Sequence, residues 1–214
     1  MPGLERVMRS SGATDPELTG DFVSTKRKWN DGPTLLVIDV QIGLNSPEYG
    51  PRGNPSCLSN VAGLLQAWRG RRLPVIFTRH VSSRPDSPLA PGAPGLAIEA
   101  AVAPHPGEPV FDKRTNSPFK LPAFVQALAP PGPHHELVIV GLATDACVTA
   151  AAREAKDLGY EVTVVHDACA SFDRPSLGGA ALPADLVHEV CIAALAASGI
   201  TLRSTQAQRS ALGA

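Results

Sequence analysis

The sequence lacks the features of a membrane, disulfide-rich or nucleic-acid-binding protein. Its 214 residues contain no apolar run long enough to cross a bilayer, and residues 1–20 lack the apolar segment of a secretory signal. Only 4 cysteines occur, without CxxC spacing, which argues against a zinc knuckle or a disulfide framework. The formal net charge of −1 comes without long runs of one sign, so neither nucleic-acid nor membrane partners are expected. These absences favour a globular protein of the reducing cytoplasm.

What the chain does contain is an alternation of apolar strands and amphipathic helices. Strands are predicted at 34–40, 73–79, from 110, from 138, at 161–166 and at 200–203, and helices at 57–69, 121–129, after 147 and at 184–198. This order predicts an α/β fold with three layers, α/β/α, around a mostly parallel, doubly wound sheet. The length suits one domain at 34–214, preceded by an N-terminal extension at 1–33.

A long segment rich in proline, glycine and serine separates the second and third predicted strands. It covers residues 81–109 and includes one short apolar piece at 96–102. Loops of this length inside a domain are usually functional or lie at interfaces. We therefore expect a lid over a binding site or a subunit contact.

The chain is organised around residues 138–149, VIVGLATDACVT. The run begins as an apolar, β-branched strand, breaks at Gly141 and continues into an alanine-rich helical pattern. Thr144 and Asp145 are good helix-capping residues, so Cys147 is predicted in the first turn of a helix. The positive end of a helix favours thiolate, the first requirement of a cysteine nucleophile. The alternative is a small buried cysteine that only packs.

Two further polar residues follow predicted strands. Asp39 is the one acid in TLLVIDV, and a buried carboxylate is costly to desolvate unless it serves a purpose such as catalysis or capping the next loop. Lys113 is the basic residue nearest the apolar pair at 110–111, and a plain surface lysine is the competing interpretation. Because the carboxyl ends of parallel strands share one edge, Asp39, Lys113 and Cys147 can meet there.

Such a meeting would favour acyl transfer. An acid beside a thiol can take its proton, and a lysine between them can hold both anions and lower the thiol pKa. Gly141 and Ala143 leave room for backbone N–H groups to approach a bound carbonyl, as an oxyanion hole requires. Together these residues predict cleavage of an amide or related carbonyl through a thioester.

The chain resembles the isochorismatase-like cysteine hydrolases, a superfamily that includes nicotinamidases and N-carbamoylsarcosine amidases. The resemblance covers 34–203 and rests on VIDVQ (37–41), FDKRTNSPF (111–119), GLATDACV (141–148) and VVHDACASF (164–172). It implies the isochorismatase-like hydrolase fold, with Asp39 as general base, Lys113 stabilising charge and Cys147 as nucleophile. It also implies a cis peptide bond between Leu142 and Ala143, and an oxyanion hole formed by the amides of Ala143 and Cys147.

The sequence departs from two branches of this superfamily. Nicotinamidases usually carry a metal site of an aspartate and several histidines after the second strand. This chain has TRHVSSRP there, with His80 in place of the aspartate, so we expect no metal and no other cofactor. Members that act on isochorismate, a vinyl ether, often lack the cysteine. Because Cys147 is present, hydrolysis of a C–N bond in a small linear amide or ureido substrate is favoured.

Less specific expectations concern the pocket and the assembly. Arg79, His80, Asn116 and Phe119 are candidate substrate-binding residues, and Arg79 would suit a substrate carboxylate. Superfamily members are commonly dimers or larger, so a homo-oligomer is expected. Two other functions stay open: vinyl ether hydrolysis that needs only Asp39 and Lys113, and a non-catalytic binding or redox protein with a reactive Cys147.

Overall fold

The computed structural model of the protein describes residues 32–132 and 135–213. Almost all of the predicted N-terminal extension, 1–33, lies outside the described residues. Within them, no helix is both long and apolar enough to cross a membrane.

A six-stranded, wholly parallel sheet forms the centre of the molecule, in the order β3-β2-β1-β4-β5-β8. Its strands are β1 (Thr34–Ile38), β2 (Val75–His80), β3 (Val110–Lys113), β4 (Glu136–Leu142), β5 (Glu161–Ala170) and β8 (Thr201–Arg203). A small antiparallel hairpin, β6 (Arg174–Pro175) and β7 (Ala181–Leu182), follows β5.

Helices cover both faces of the sheet. They are α1 (Cys57–Gly70), α2 (Pro122–Ala127), α3 (Thr149–Asp157), α4 (Ala184–Ala197) and α5 (Thr205–Ala211). Helices α1 and α5 pack together on one face, while α3 and α4 pack together on the other. The predicted three-layer, doubly wound α/β fold is confirmed.

Alternate residues of the central strands fill the two cores. In β1, Leu35 and Val37 join the core under α1, whereas Leu36 and Ile38 join the core under α3. Trp68 of α1 is fully buried in the first core, and its indole N–H donates to the Pro33 carbonyl. A strand buried on both faces reads as a continuous apolar run, which is why TLLVIDV was recognisable as a central strand.

The strand order reverses between β1 and β4, and in open parallel sheets such a point is where ligands bind. Gly141 of β4 faces Ile38 of β1 with a φ of 120°, a backbone conformation that favours glycine. A Cβ atom at Gly141 would lie 2.1 Å from the Ile38 carbonyl oxygen. Glycine therefore lets the two strand ends approach each other at the switch point.

The long segment at 81–109 is packed against the rest of the domain. Leu89 and Val102 are buried in the core under α1, and the backbone of Ile42 and Val40 pairs with Ala97 and Glu99. Two single 3₁₀ turns, Pro94–Leu96 and Ala100–Val102, give the segment its only helical structure. The segment is therefore hydrogen-bonded to the residues that follow the carboxyl end of β1.

Candidate active site

Asp39 follows β1 in the left-handed backbone region, with a φ of 51°, which aspartate tolerates better than most residues. Its side chain is buried and both carboxylate oxygens are bonded. The Thr78 hydroxyl donates to Oδ1 at 2.7 Å, and the Lys113 ammonium donates to Oδ2 at 2.6 Å. These charge-assisted bonds offset much of the cost of burying the carboxylate.

Lys113 ends β3 and is 1% exposed, so the surface interpretation of this residue is wrong. Its ammonium donates to Asp39, to the Thr115 carbonyl at 3.1 Å and to Cys147 Sγ at 3.2 Å. An ammonium group has three donors, and these three contacts use all of them. Lys113 therefore joins the carboxylate and the sulfur in one buried cluster.

Cys147 lies in a π-helical turn, Thr144–Val148, that leads into α3, and not in the first turn of an α-helix. The amides of Ala146 and Val148 both donate to the Ala143 carbonyl, at 3.1 and 3.2 Å. The peptide bond between Leu142 and Ala143 is cis, as the resemblance implied. The two hydrogen bonds to the Ala143 carbonyl hold this turn together at the carboxyl end of β4.

The two predicted caps have other partners. Thr144 Oγ1 forms a 2.8 Å hydrogen bond with His188 Nδ1 of α4. Asp145 accepts hydrogen bonds from Ser171 and from Arg174, whose Nε lies 2.7 Å from Oδ2. The capping prediction is wrong because both side chains point toward neighbouring elements and tie the turn to α4 and to the hairpin.

The protonation of Cys147 also differs from expectation. Burial, reinforced by the adjacent Asp39 carboxylate, raises the pKa of the Cys147 thiol to about 12, although Lys113 acts in the opposite direction. A lowered thiol pKa was expected from the helix end and the lysine. Loss of solvent around the sulfur disfavours the thiolate and is the larger effect. The resting group at neutral pH is therefore the thiol.

A pocket of about 180 Å³ opens onto this cluster. Asp39 and Cys147 line it together with His80 and Asn116, which are two of the predicted substrate-binding residues. The Asn116 carbonyl oxygen lies 4.0 Å from Cys147 Sγ. The remaining wall is largely apolar and comprises Leu44, Tyr49, Leu89, Leu142, Ala143, Ala146 and Phe172, with Arg174 as the one cation.

Two of the predicted pocket residues lie elsewhere. Arg79 forms a paired salt bridge with Asp112 of β3, at 2.7 and 2.9 Å, because its side chain leaves β2 on the face opposite to Thr78 and His80. Phe119 packs edge-on against Phe124 in the core under α3. Neither residue lines the pocket, so these two assignments are corrected.

Some residues of the site were missed in the sequence. Thr78 is fully buried, and its position two residues before His80 on the predicted strand was the signal that both side chains take the same face. Arg174 and Phe172 also line the pocket, where the Arg174 guanidinium lies 5.6 Å from the centre of the Phe172 ring. Phe172 ends the VVHDACASF motif but was not predicted to line the pocket, and Arg174 lies in β6 of the hairpin, whose position no local pattern indicates.

Among the described residues, only one group of three side chains is placed so that it could hold a metal ion. One ligand atom each of Asp39, His80 and Cys147 lies within 4.8 Å of the others. However, the Lys113 ammonium already donates to both the carboxylate and the sulfur. A second cation at that point would be repelled by the first, so this donor set does not fit a resident metal ion.

Comparison with known proteins defines the class of this fold and site. The model of the isochorismatase domain matches residues 33–206, so the chain belongs to the isochorismatase family, a family of hydrolases. A crystal structure from Chromobacterium violaceum, assigned to this family, superimposes with a TM-score of 0.77 at 39% identity, covering 86% of this chain and 95% of that one.

Two relatives illustrate the range of the family. The isochorismatase family protein YrdC of Bacillus subtilis is 29% identical over 174 residues, which are 80% of this chain and 91% of YrdC. Streptothricin hydrolase of Streptomyces noursei is 32% identical over 142 residues, which are 66% of this chain and 51% of that protein.

Proposed function

We propose that the protein is a cysteine hydrolase that cleaves a C–N bond of a small amide or ureido substrate through a thioester. Asp39, Lys113 and Cys147 form its catalytic triad. The observation that carries this proposal is the single buried ammonium of Lys113, which donates to both the Asp39 carboxylate and the Cys147 sulfur. That arrangement links a base to a nucleophile through a fixed positive charge.

In the acylation step, Asp39 takes the thiol proton as Cys147 Sγ attacks the carbonyl carbon. Deprotonation coupled to attack suits a thiol whose pKa is raised to about 12, because a free thiolate would be scarce at neutral pH. The amides of Ala143 and Cys147 are proposed to bind the oxyanion. Asp39 then gives its proton to the leaving nitrogen, and the C–N bond breaks.

In the deacylation step, water attacks the thioester carbon and Asp39 accepts its proton. The C–S bond breaks, its electron pair returns to sulfur, and Asp39 returns the proton to Cys147. Lys113 keeps its contacts with both partners throughout, so the negative charge that moves between oxygen and sulfur stays beside one cation. No added cofactor is needed for this cycle.

The pocket favours a small substrate. A volume of about 180 Å³ with largely apolar walls would fit a compact amide whose polar end faces Asn116 and the triad. The relative named streptothricin hydrolase supports hydrolysis as the reaction type.

The test is to incubate the protein with a panel of small primary amides and ureido acids. Ammonia release and the mass of the intact protein are followed together, with Cys147→Ala as the matched variant. We expect ammonia release that the variant loses, by about 10³-fold or more, and an acyl adduct on Cys147.

Two results would contradict the proposal. Hydrolysis of a vinyl ether such as isochorismate that survives Cys147→Ala would support the isochorismatase reaction, which needs only Asp39 and Lys113. Absence of an adduct and of product on both substrate classes would support a binding or redox role for Cys147.

A further inference from the structure

His80 carries a buried nitrogen for which the protein offers no partner. Among the described residues, its Nδ1 is the only buried side-chain nitrogen or oxygen without a hydrogen bond. Buried polar atoms are nearly always bonded, and an exception at a pocket wall indicates a group that binds there during function. Neither the acylation nor the deacylation step above uses this atom.

The backbone of His80 is held firmly in place. The buried Gln41 side chain accepts from the His80 amide at 2.7 Å and donates to the His80 carbonyl at 3.1 Å. The same Gln41 nitrogen donates to the Leu96 carbonyl at 3.1 Å, which connects β2 to the 81–109 segment. Since Thr78 and His80 leave β2 on one face, the imidazole lies on the side where Thr78 binds Asp39.

The position of His80 suggests what binds there. A ring nitrogen of His80, a carboxylate oxygen of Asp39 and Cys147 Sγ all lie within 4.8 Å of one another. An atom equally far from three such groups lies about 2.8 Å from each of them, which is a hydrogen-bond distance. A water molecule there would also lie beside the carbonyl carbon of a thioester on Cys147.

We propose that His80 is a catalytic residue of deacylation, whose Nδ1 accepts one hydrogen of the attacking water while Asp39 accepts the other. Two acceptors on the two hydrogens leave a lone pair of the water oxygen free to point at the thioester carbon. The inference rests on the proposed thioester function and extends it to a residue outside the triad.

Both hydrogens of the water molecule and the electron pair of the C–S bond are accounted for in this step. The hydrogen bound to Asp39 moves to the carboxylate as the water oxygen bonds to the thioester carbon, while the other hydrogen stays on oxygen and remains donated to His80. When the tetrahedral species collapses, the C–S electron pair goes to sulfur, and Asp39 returns the proton to it. The products are the free carboxylic acid and the Cys147 thiol.

This role requires a neutral imidazole with an unprotonated Nδ1. Burial, together with the positive charge of Lys113, lowers the pKa of His80 below its ordinary value, and the Asp39 carboxylate only partly opposes this. His80 therefore stays neutral, and able to accept, at neutral pH.

The experiment uses p-nitrophenyl acetate, whose activated ester acylates a nucleophilic cysteine without needing an acid for its leaving group. The burst of p-nitrophenolate reports acylation, and the steady-state rate reports deacylation. In His80→Ala we expect a burst rate within about twofold of wild type and a steady-state rate at least about tenfold lower. Acetyl-enzyme should accumulate and be visible by intact mass. The burst itself shows that the variant is folded.

Two further variants sharpen the test. His80→Asn keeps a hydrogen-bonding atom near the Nδ1 position and should recover most of the lost deacylation rate. His105→Ala removes an exposed histidine that does not line the pocket and should behave as wild type.

The inference is overturned if His80→Ala lowers the burst and the steady state together, since His80 would then serve acylation or substrate binding. It is also overturned if neither rate changes. A wild-type protein without a burst, or with a burst that survives Cys147→Ala, would instead overturn the thioester function itself.

Discussion

At the scale of single residues, the site is defined by two charges with opposite effects on one sulfur. The Asp39 carboxylate raises the pKa of the Cys147 thiol and the Lys113 ammonium lowers it. Removing either charge should therefore change how readily the free enzyme is alkylated, because iodoacetamide reacts with the thiolate. We expect Asp39→Asn to speed alkylation of Cys147 and Lys113→Met to slow it, each by about tenfold or more at a fixed pH near 8.

The measurement is the rate of carbamidomethylation at Cys147, followed by peptide mass spectrometry so that the other three free cysteines are counted separately. Asparagine tolerates the left-handed backbone at position 39, which makes Asp39→Asn a conservative change. Turnover should be lost in both variants. If both changes moved the alkylation rate in the same direction, the two charges would not control the sulfur as described.

At the scale of elements, the β6–β7 hairpin is attached to the Cys147 turn through Asp145. Burial alone would raise the pKa of Asp145, but hydrogen bonds from Arg174 and Ser171 outweigh it and hold the pKa below its ordinary value of 3.8. A carboxyl whose pKa is lower in the folded protein than in the unfolded chain stabilises the fold fully at pH values above its ordinary pKa. This contribution is lost as the pH falls through the lowered pKa of the folded state. Asp145→Asn should therefore lower the free energy of unfolding by about 1–3 kcal/mol at neutral pH.

Urea unfolding at a series of pH values checks this. The difference between wild type and Asp145→Asn should shrink as the pH falls below about 3.8. Asp86, whose exposed side chain lies 3.4 Å from Arg84, offers the matched variant Asp86→Asn, for which little effect is expected at any pH. A pH-independent deficit in Asp145→Asn would mean that the carboxylate charge is not what holds the hairpin.

The elements themselves were largely predictable, and the errors have physical causes. Strands buried on both faces, such as β1 and β2, read as apolar runs, so their existence followed from composition alone. Strand β5 continues to Ala170, beyond its predicted end at 166, because the polar Asp167 interrupts the apolar pattern without ending the strand. The Asp167 carboxylate accepts from the backbone and hydroxyl of Thr205 at the start of α5, a helix that was not predicted. Such long-range partners leave no local pattern.

At the scale of the whole molecule, strand order explains why the cluster of Asp39, Lys113 and Cys147 could be found in the sequence, whereas only part of the pocket wall could. Asp39, Lys113 and Cys147 follow three strands of one parallel sheet, and topology alone brings such ends to one edge. The pocket wall depends on which face of a strand each side chain takes and on the packing of loops. This is why His80 lines the pocket whereas Arg79, its neighbour in sequence, pairs with Asp112.

The exposed surface of the molecule bears on its assembly. Helix α4 buries only Ala184 and Leu195 fully, while Leu186 is 50% and Val190 is 59% exposed. These two residues are four apart and so lie on one helix face, and the exposed Leu182 of the hairpin lies four residues before Leu186. Large apolar side chains exposed together on a helix often mark an interface. We propose that a second copy of the chain covers this face, with α4 packing against its symmetry mate.

Because the same patch would occur on both sides of a two-fold interface, each substitution acts twice in a dimer. We expect the wild-type protein to sediment as a dimer and the double variant Leu186→Glu, Val190→Glu to sediment as a monomer, since four buried carboxylates would oppose association. Leu158→Glu is the matched control, because Leu158 is 48% exposed at the end of α3 and should leave the dimer intact. A monomeric wild type would show that no second copy covers this face, and a double variant that remains dimeric would place the interface elsewhere.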